Sequence, residues 1–237
     1  MADAPAAPAP WQPAEVVEVR DETARAKTFR LALRDVSHHR AGQHYVVRLT
    51  APDGYTASRS YSVASPPDGT NQIELTVERF DDGEVSTFLH DVVVPGDELE
   101  VRGPIGGWFV WDADAPAVLV GGGSGVVPLM AMLRLARKHG REDLLRLLVS
   151  VRSPADLYYS DEIEGPSTTV VYSRTGPAGS TRPPGHLGAE DIASVWTPGA
   201  TAFVCGSTAF TNAASELLVA HGVPVDRIRV ERFGPTG

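Results

Sequence analysis

A run of glycines in the middle of the chain most constrains its fold. The apolar segment 118–120 leads into Gly-Gly-Gly-Ser-Gly at 121–125, and apolar residues then recur with helical periodicity over 127–139. Glycines permit a tight turn from a strand into a helix and let a pyrophosphate approach the helix N-terminus. Pro128 fits there because the first helical turn does not need its missing N–H group. The pattern predicts a strand, a loop and a helix that bind a dinucleotide.

Strands and helices continue to alternate after the glycine loop. Strands are predicted at 144–151, 168–172, 202–205 and 227–231, and a second helix at 209–220. This alternation is typical of a doubly wound parallel sheet. The predicted α/β domain spans residues 113–237.

The half of the chain before the glycine loop has a different texture. Short segments rich in β-branched residues are separated by Gly, Pro and Asp turn signals. They lie at 15–20, 28–33, 44–49, 59–64, 73–78 and 98–102. Six short, closely spaced strands predict a small antiparallel barrel over 14–112. The Ala- and Pro-rich residues 1–13 predict a flexible tail, with Trp11 available to dock on the barrel.

Composition excludes several classes of function. Lys and Arg number 21 against 30 Asp and Glu, a net charge of −9, which disfavours a general nucleic-acid binder. No apolar run approaches the roughly 20 residues of a membrane helix. The N-terminus also lacks the pattern of a secretory signal. A cytoplasmic protein is therefore expected, with neither a membrane nor a nucleic acid among its partners.

Cys205 is the single cysteine of the sequence. One thiol excludes an internal disulfide and a four-thiolate iron–sulfur cluster within these residues. The seven histidines, including the adjacent pair His38 and His39, show no zinc-like spacing with other ligands, so no metal site is predicted. The segment around Ser124 has Val126 where the Gly-x-Ser-x-Gly nucleophile elbow has its second glycine, which disfavours a hydrolase.

Two further motifs lie in the predicted barrel. The strand at 59–64 begins Arg59-Ser60-Tyr61-Ser62, and strand alternation places Arg59 and Tyr61 on one face. The forked donors of a guanidinium fit a phosphate in a way that lysine does not reproduce. The second motif, Gly83 to Ser86, follows a strand and opens a short helix, where N–H groups can approach an anion. Taken alone, the first motif also suits an ordinary barrel strand, and the second a common helix cap.

In their order and spacing, these motifs resemble the ferredoxin–NADP reductase superfamily, in which a flavin-binding barrel precedes a nicotinamide-nucleotide domain. The resemblance spans nearly the whole chain, from the Arg59 motif through 103–109 and the glycine loop to residues 231–237. It implies a stand-alone flavoprotein oxidoreductase without an iron–sulfur domain.

The resemblance implies a flavin site in the barrel. In such a site Arg59 pairs with the flavin phosphate, Tyr61 packs on the ring system, and Ser62 hydrogen-bonds near the reactive ring nitrogen. A pyrophosphate segment at Gly83 favours FAD over FMN, because only the dinucleotide needs it. The implied flavin ligands are Arg59, Ser60, Tyr61, Ser62, Gly83, Val85 and Ser86.

The resemblance also implies a coenzyme site at the carboxyl edge of the second sheet. Arg152 is expected near the pyrophosphate, and Ser173 and Arg174 near the 2′-phosphate of NADPH. Arg182 is expected to be a second cation there. No acidic residue occurs from 173 to 182, which favours NADPH and leaves NADH possible. The implied coenzyme ligands are Gly121, Gly123, Gly125, Arg152, Ser173, Arg174, Arg182, Cys205, Gly206 and Phe233.

The implied catalytic residues are Ser62, Cys205, Glu231 and Phe233. By resemblance, Cys205 lies beside the nicotinamide, Glu231 near the reacting rings, and Phe233 over the flavin, where plant-type members end in tyrosine. The implied activity is hydride transfer from NADPH to FAD, followed by single-electron transfer to a separate protein such as a ferredoxin or an oxygenase component. Two alternatives stay open: a reductase of free flavin or another diffusible acceptor, and an electron-transfer subunit of a larger complex.

Overall fold

The chain folds into two sheets, which a computed structural model describes over residues 9–234. The first sheet has six strands in the order β4-β3-β6-β1-β2-β5, and every neighbouring pair is antiparallel. The strands are β1 (Gln12–Thr23), β2 (Ala26–Leu33), β3 (His44–Thr50), β4 (Thr56–Ser62), β5 (Gln72–Glu78) and β6 (Glu98–Ile105), with helix α1 (Glu84–Asp91) before β6. A bridge between Val63 and Leu75 joins the end of β4 to β5, so the sheet closes. The predicted six-stranded antiparallel barrel is confirmed.

The barrel interior is filled by alternate residues of its strands. Phe29 and Leu31 of β2 and Tyr45 and Val47 of β3 are almost completely buried in one apolar cluster. Side chains two residues apart on a strand point to the same face, so this spacing follows directly from the sequence. Burial of each such side chain stabilises the fold by about 1.5–3 kcal/mol.

Strand β1 begins earlier than composition predicts. Gln12 and Pro13 pair with β6, and the Trp11 ring lies under the guanidinium groups of Arg48 and Arg102, at 4.1 and 4.8 Å. These residues therefore belong to the barrel and not to a flexible tail, because strand pairing and cation–π contacts outweigh their Ala- and Pro-rich context. The part of the predicted tail at 1–8 lies outside the described residues.

The second sheet is parallel throughout and has the order β11-β10-β7-β8-β9. Its strands are β7 (Ala117–Gly122), β8 (Leu145–Val151), β9 (Thr168–Tyr172), β10 (Thr201–Ser207) and β11 (Ile228–Phe233). The helices are α2 (Val126–His139), α3 (Ser160–Ile163), α4 (Ala189–Val195) and α5 (Thr208–Ala220). Helix α2 shares a core with Leu119, while α4 and α5 share one with Val118 and Val120. Helices thus cover both faces, and the predicted doubly wound sheet is confirmed.

The central strand β7 marks the place where the chain reverses direction across the sheet. From β7 it proceeds to β8 and β9 on one side, and it then crosses to β10 and β11 on the other. Open α/β sheets bind ligands at this kind of switch point, beyond the carboxyl ends of the strands. Among residues 9–234, no helix has the length and apolar character needed to cross a membrane.

Arg134 of α2 joins the two domains. Its guanidinium donates to both carboxylate oxygens of Glu162, at 2.7 and 2.6 Å, and to Glu74 of β5 at 2.8 Å. It also donates to the carbonyl of Ala64 at 3.1 Å, and its side chain is only 13% exposed. A largely buried cation is thereby satisfied by groups from both domains.

Tyr159 makes a second connection between the domains. Its hydroxyl donates to Thr76 of β5 at 2.6 Å, and its backbone N–H donates to the Glu22 carboxylate at 3.1 Å. Tyr159 adopts φ of +56°, a left-handed conformation that costs a non-glycine residue about 1–2 kcal/mol. The two hydrogen bonds explain why this conformation is retained.

Replacing Arg134 with alanine should destabilise the protein by about 3 kcal/mol, because it breaks a buried ion pair. Arg30 keeps one contact to Glu74, which places the expected loss at the lower end of the usual range. Urea unfolding followed by circular dichroism measures the change. Arg25→Ala, at an exposed pair with Asp81, is the control and should cost less than about 1 kcal/mol. Equal losses in the two variants would contradict this role of Arg134.

Candidate functional site

Strand β4 carries the predicted flavin residues at one edge of the barrel. Arg59 is exposed, and its Nη1 donates to the carbonyl of Ser58 at 2.8 Å. None of the ion pairs among the described residues includes Arg59, so its charge is available to an anion. Tyr61 packs on the barrel core, and burial raises the pKa of its phenol. Ser60 is exposed beside them.

Ser62 ends the strand with an unsatisfied hydroxyl. The residue is 4% exposed, and its Oγ has no hydrogen-bond partner among the described residues. A buried polar group without a partner costs about 1–3 kcal/mol, and most buried groups avoid that cost. An orphaned hydroxyl at the end of the Arg59 strand fits a cofactor that supplies the missing partner.

The N-terminus of α1 is a turn built around Gly83. A Cβ at Gly83 would lie 2.3 Å from Ser86 Oγ, so a side chain there would displace the Ser86 hydroxyl. The Ser86 hydroxyl donates to the Gly83 carbonyl at 3.1 Å and accepts from the Phe80 N–H at 3.2 Å. The Val85 side chain is buried in the barrel core. Ser86 and Val85 can therefore contact an anion only through their backbone N–H groups.

The carboxyl ends of β7 and β10 touch through glycines. A Cβ at Gly125 would lie 2.1 Å from the carbonyl oxygen of Cys205, and one at Gly206 would lie 3.0 Å from the Gly122 carbonyl oxygen. Gly123 has φ of +53°, which favours glycine. Gly121 pairs with Cys205 in the ladder. The glycine loop and the Cys205 segment therefore form one continuous backbone surface at the switch point.

Cys205, Glu231 and Phe233 lie together at this edge. Cys205 is opposite Glu231 in the ladder of β10 and β11, and Ser207 is opposite Phe233. Cys205 is fully buried, and burial together with the nearby Glu231 raises the pKa of its thiol well above the usual value. Phe233 packs against the core on the α2 side of the sheet. The edge thus presents a neutral thiol, a carboxyl group and an aromatic ring.

Two arginines without ion pairs stand at the carboxyl ends of β8 and β9. The Arg174 N–H donates to the Arg152 carbonyl at 2.9 Å, which places the two residues side by side. Both are exposed, and neither takes part in the ion pairs of the described residues. Ser173 precedes Arg174, and its N–H donates to the Val151 carbonyl at 2.8 Å. This pair of cations suits the phosphates of a nicotinamide coenzyme.

Arg182 has a different role from the predicted second cation. Its guanidinium binds both carboxylate oxygens of Asp191, at 2.9 and 2.8 Å, and donates to the carbonyl of His186 at 3.0 Å. Asp191 also accepts from the Gly188 N–H at the start of α4. Arg182 therefore fastens its loop to α4, and its donors are occupied within the protein.

His44 was missed by the sequence patterns. It lies directly opposite Ser62 in the ladder of β3 and β4, and burial lowers the pKa of its imidazole. The available signal was its place in the predicted antiparallel pairing, which no local motif marks.

The comparison with known proteins agrees with this geometry. The model of the oxidoreductase FAD-binding domain matches residues 13–110, and that of the oxidoreductase NAD-binding domain matches residues 119–216. The chain is 33% identical over 210 residues to ferredoxin–NADP reductase B of Sorangium cellulosum, a match that covers 81% of this chain and 84% of that relative. The chain belongs to the ferredoxin–NADP reductase family. Its two domains bind FAD and a nicotinamide coenzyme. The predicted boundary at 112/113 falls between the two matched ranges and stays a prediction.

Other relatives of this chain are longer. It is 32% identical over 209 residues to the glycine betaine monooxygenase reductase subunit of Pseudomonas aeruginosa, covering 82% of this chain and 56% of that subunit. The chain thus spans about half the length of such curated relatives. The crystal structure of a cytochrome P450 reductase from Amycolatopsis superposes with a TM-score of 0.79 at 29% identity, covering 100% of this chain and 74% of the other.

The stability of the protein should depend on the ionisation of Glu231. Burial raises the pKa of Glu231 to about 7, so the folded protein holds a proton that the unfolded chain has released. Between the unfolded value of about 4.3 and pH 7, the free energy of unfolding contributed by Glu231 therefore falls as pH rises. Relative to Glu231→Gln, the wild type should lose melting temperature between about pH 5 and pH 8.

Thermal unfolding across this pH range measures the effect. Glu216→Gln, on the exposed surface of α5, is the matched control and should follow the wild type. Parallel pH profiles of wild type and Glu231→Gln would show that Glu231 titrates normally.

Proposed function

We propose that this chain is a flavin-dependent NAD(P)H reductase that passes electrons to a separate protein, such as a ferredoxin or an oxygenase component. The orphaned hydroxyl of Ser62, buried at the end of the Arg59 strand, is the observation that carries the flavin assignment. When bound, FAD would supply the ability to accept a hydride and release electrons one at a time. The polypeptide supplies binding, orientation and charge.

The flavin half of the proposed site uses side chains and backbone in distinct ways. Arg59 would bind the flavin phosphate with its unpaired guanidinium. Tyr61 would offer its partly buried ring to the flavin, and Ser62 would donate or accept the hydrogen bond that it lacks in the protein. The N–H groups at the start of α1, next to Gly83, would bind the pyrophosphate. Ser86 would shape this turn through its internal hydrogen bonds.

The coenzyme half would use the glycine loop and the two exposed arginines. A Cβ at Gly123 would meet nothing within 4 Å, so the backbone there would be accessible to a pyrophosphate at the start of α2, while Gly125 and Gly206 allow the adjoining segments to pack closely. Arg152 would bind that pyrophosphate, and Ser173 and Arg174 would bind the 2′-phosphate of NADPH. This arrangement supports NADPH as the preferred coenzyme, with NADH as the weaker substrate.

The neutral groups at the sheet edge would exclude water from the reacting rings. The raised pKa keeps Cys205 in its uncharged form, so its thiol acts as an apolar wall for the nicotinamide. Glu231, on the neighbouring strand, would hold or release a proton near neutral pH. Phe233 would cover the flavin until the coenzyme enters.

The relatives support a protein acceptor over a diffusible one. Reductase components of monooxygenases are among them. Gel filtration, combined with turnover of an artificial acceptor, tests the proposal against the alternatives. A monomer that reduces the acceptor rapidly supports a stand-alone reductase, whereas assembly with little turnover supports a subunit of a complex. Rapid reduction of free flavin in preference to any protein acceptor supports a diffusible acceptor.

The flavin assignment leads to the expectation that the purified protein is yellow and releases FAD on heating. Arg59→Ala should weaken FAD binding by about 1.5–3 kcal/mol, because it removes a charge-assisted hydrogen bond to phosphate. Titration of apoprotein with FAD, followed by flavin fluorescence, measures the affinity. Arg34→Ala, an exposed arginine outside the motif, should leave it unchanged. Unchanged affinity in Arg59→Ala would remove Arg59 from the site, and failure of the wild type to bind any flavin would end the proposal.

Coenzyme preference is expected to depend on Arg174. Arg174→Ala should lower kcat/KM for NADPH about tenfold, equivalent to roughly 1.4 kcal/mol, while NADH turnover stays nearly constant. Only NADPH carries the 2′-phosphate. Arg152→Ala is the matched comparison, since a pyrophosphate ligand should affect both coenzymes alike. Steady-state rates with each coenzyme decide between these roles; equal losses in Arg174→Ala would make Arg174 a pyrophosphate ligand or a structural residue.

A further inference from the structure

Three buried polar side chains form a row of hydrogen bonds: Ser37 and His39 in the loop between β2 and β3, and Tyr45 on β3. His39 is 2% exposed, Ser37 is 4% exposed, and Tyr45 is 1% exposed. The Ser37 hydroxyl lies 2.8 Å from His39 Nδ1 and 3.0 Å from the Tyr45 hydroxyl. The other ring nitrogen, Nε2, lies 3.1 Å from the carbonyl oxygen of Ser65. This row of hydrogen bonds therefore runs from Tyr45 in the barrel core to the Ser65 carbonyl, three residues after Ser62.

The Ser65 carbonyl determines the direction of each hydrogen bond in this row. A carbonyl oxygen can only accept, so Nε2 of His39 carries the hydrogen and donates to Ser65. In the neutral imidazole, Nδ1 is then bare and accepts from the Ser37 hydroxyl. The Ser37 hydroxyl uses its single hydrogen in the bond to Nδ1, so it accepts a hydrogen bond from the Tyr45 hydroxyl. Burial lowers the pKa of His39, which agrees with the neutral form.

His39 contacts a segment in which the backbone is held at successive residues. The Val63 N–H donates to the Gln43 carbonyl at 3.0 Å, and the Ala64 N–H donates to the Glu74 carbonyl at 2.8 Å. The carbonyls of Ala64 and Ser65 accept from Arg134 and His39, respectively. Ser62 Oγ has no partner of its own, so its position is set by the backbone, which the ladder with His44 holds on one side and this anchored segment on the other.

We propose that His39 is a positioning residue for the flavin site: its Nε2–H fixes the Ser65 carbonyl and, through residues 62–65, the hydroxyl of Ser62. The inference rests on the proposed flavin site at Arg59 and Ser62. His39 touches neither reacting group and acts only through this backbone segment.

Two amide substitutions separate this role from simple burial. In His39→Gln the amide extends to the place of Nε2 and can donate to Ser65, whereas in His39→Asn the shorter amide reaches only the place of Nδ1 and meets Ser37. Both variants are uncharged and lose the ring. We expect His39→Asn to weaken FAD binding about tenfold and His39→Gln by no more than about twofold, because only the former loses the Ser65 bond.

The readouts are the FAD dissociation constant, from fluorescence titration of apoprotein, and the visible circular dichroism of the bound flavin. Thermal unfolding of the apoproteins is measured alongside. The exposed neighbour His38 provides the control variant His38→Asn, which should match the wild type. Equal effects of the Asn and Gln variants on FAD binding would overturn the proposal, since a purely structural histidine does not distinguish them.

A double-variant cycle tests whether His39 acts through Ser62. In a Ser62→Ala background, His39→Asn should have little further effect on FAD affinity, whereas independent contributions would add and overturn the proposal. If His39→Asn does not fold, Ser37→Ala serves in the same cycle, because it removes the donor to Nδ1. We expect Ser37→Ala to weaken FAD binding about threefold on its own and to have no effect in the Ser62→Ala background. The same loss in both backgrounds, or no loss in either, would overturn the proposal. Failure of the flavin proposal itself is distinct, since the wild type would then bind no FAD.

Discussion

The buried guanidinium of Arg134 fixes how the two domains of this protein meet. It belongs to the helix that starts at the glycine loop, and it holds the Ala64 carbonyl, just beyond Ser62. A cation in a nearly dry interface is tolerated only when carboxylates and carbonyls surround it, so the interface permits little freedom of docking. One rigid helix thus relates the coenzyme loop to the flavin strand. Tyr159, with its hydrogen bonds to the barrel, restrains the same docking from a second position.

The distribution of satisfied and unsatisfied polar groups separates architecture from site. The hydroxyls of Thr28, Thr76 and Tyr159 bond one another within the interface, and the Ser86 hydroxyl closes its own turn. Ser62 Oγ lacks such a partner among the described residues, and the guanidinium of Arg59 has no carboxylate partner there and donates only to the neighbouring Ser58 carbonyl. Other buried atoms also lack partners, among them Ser167 Oγ and Ser215 Oγ, so Ser62 is distinguished by its place at the end of the Arg59 strand. The contrast supports the flavin assignment.

The sequence was most informative where local chemistry decides the structure. Segments rich in β-branched residues between turn signals predicted the barrel strands, and the glycine loop predicted the β7–α2 turn. Prediction failed where a distant partner decides. Gln12 and Pro13, predicted to belong to a flexible tail, pair with β6. Helix α4, which no periodicity marked, is capped by Asp191, the ion-pair partner of Arg182. His39 and His44 gain their importance from neighbours that are distant in sequence or on another strand.

The close contact between Gly125 and the Cys205 carbonyl bears on how members of this family can diverge. The loop that follows β7 touches the backbone of β10 there. A side chain at Gly125 would therefore displace the segment that carries the thiol. The arginines at the ends of β8 and β9 stand outside this contact, on exposed backbone. Substitutions can therefore change the charge at the sheet's periphery, while the geometry around the thiol is inherited unchanged.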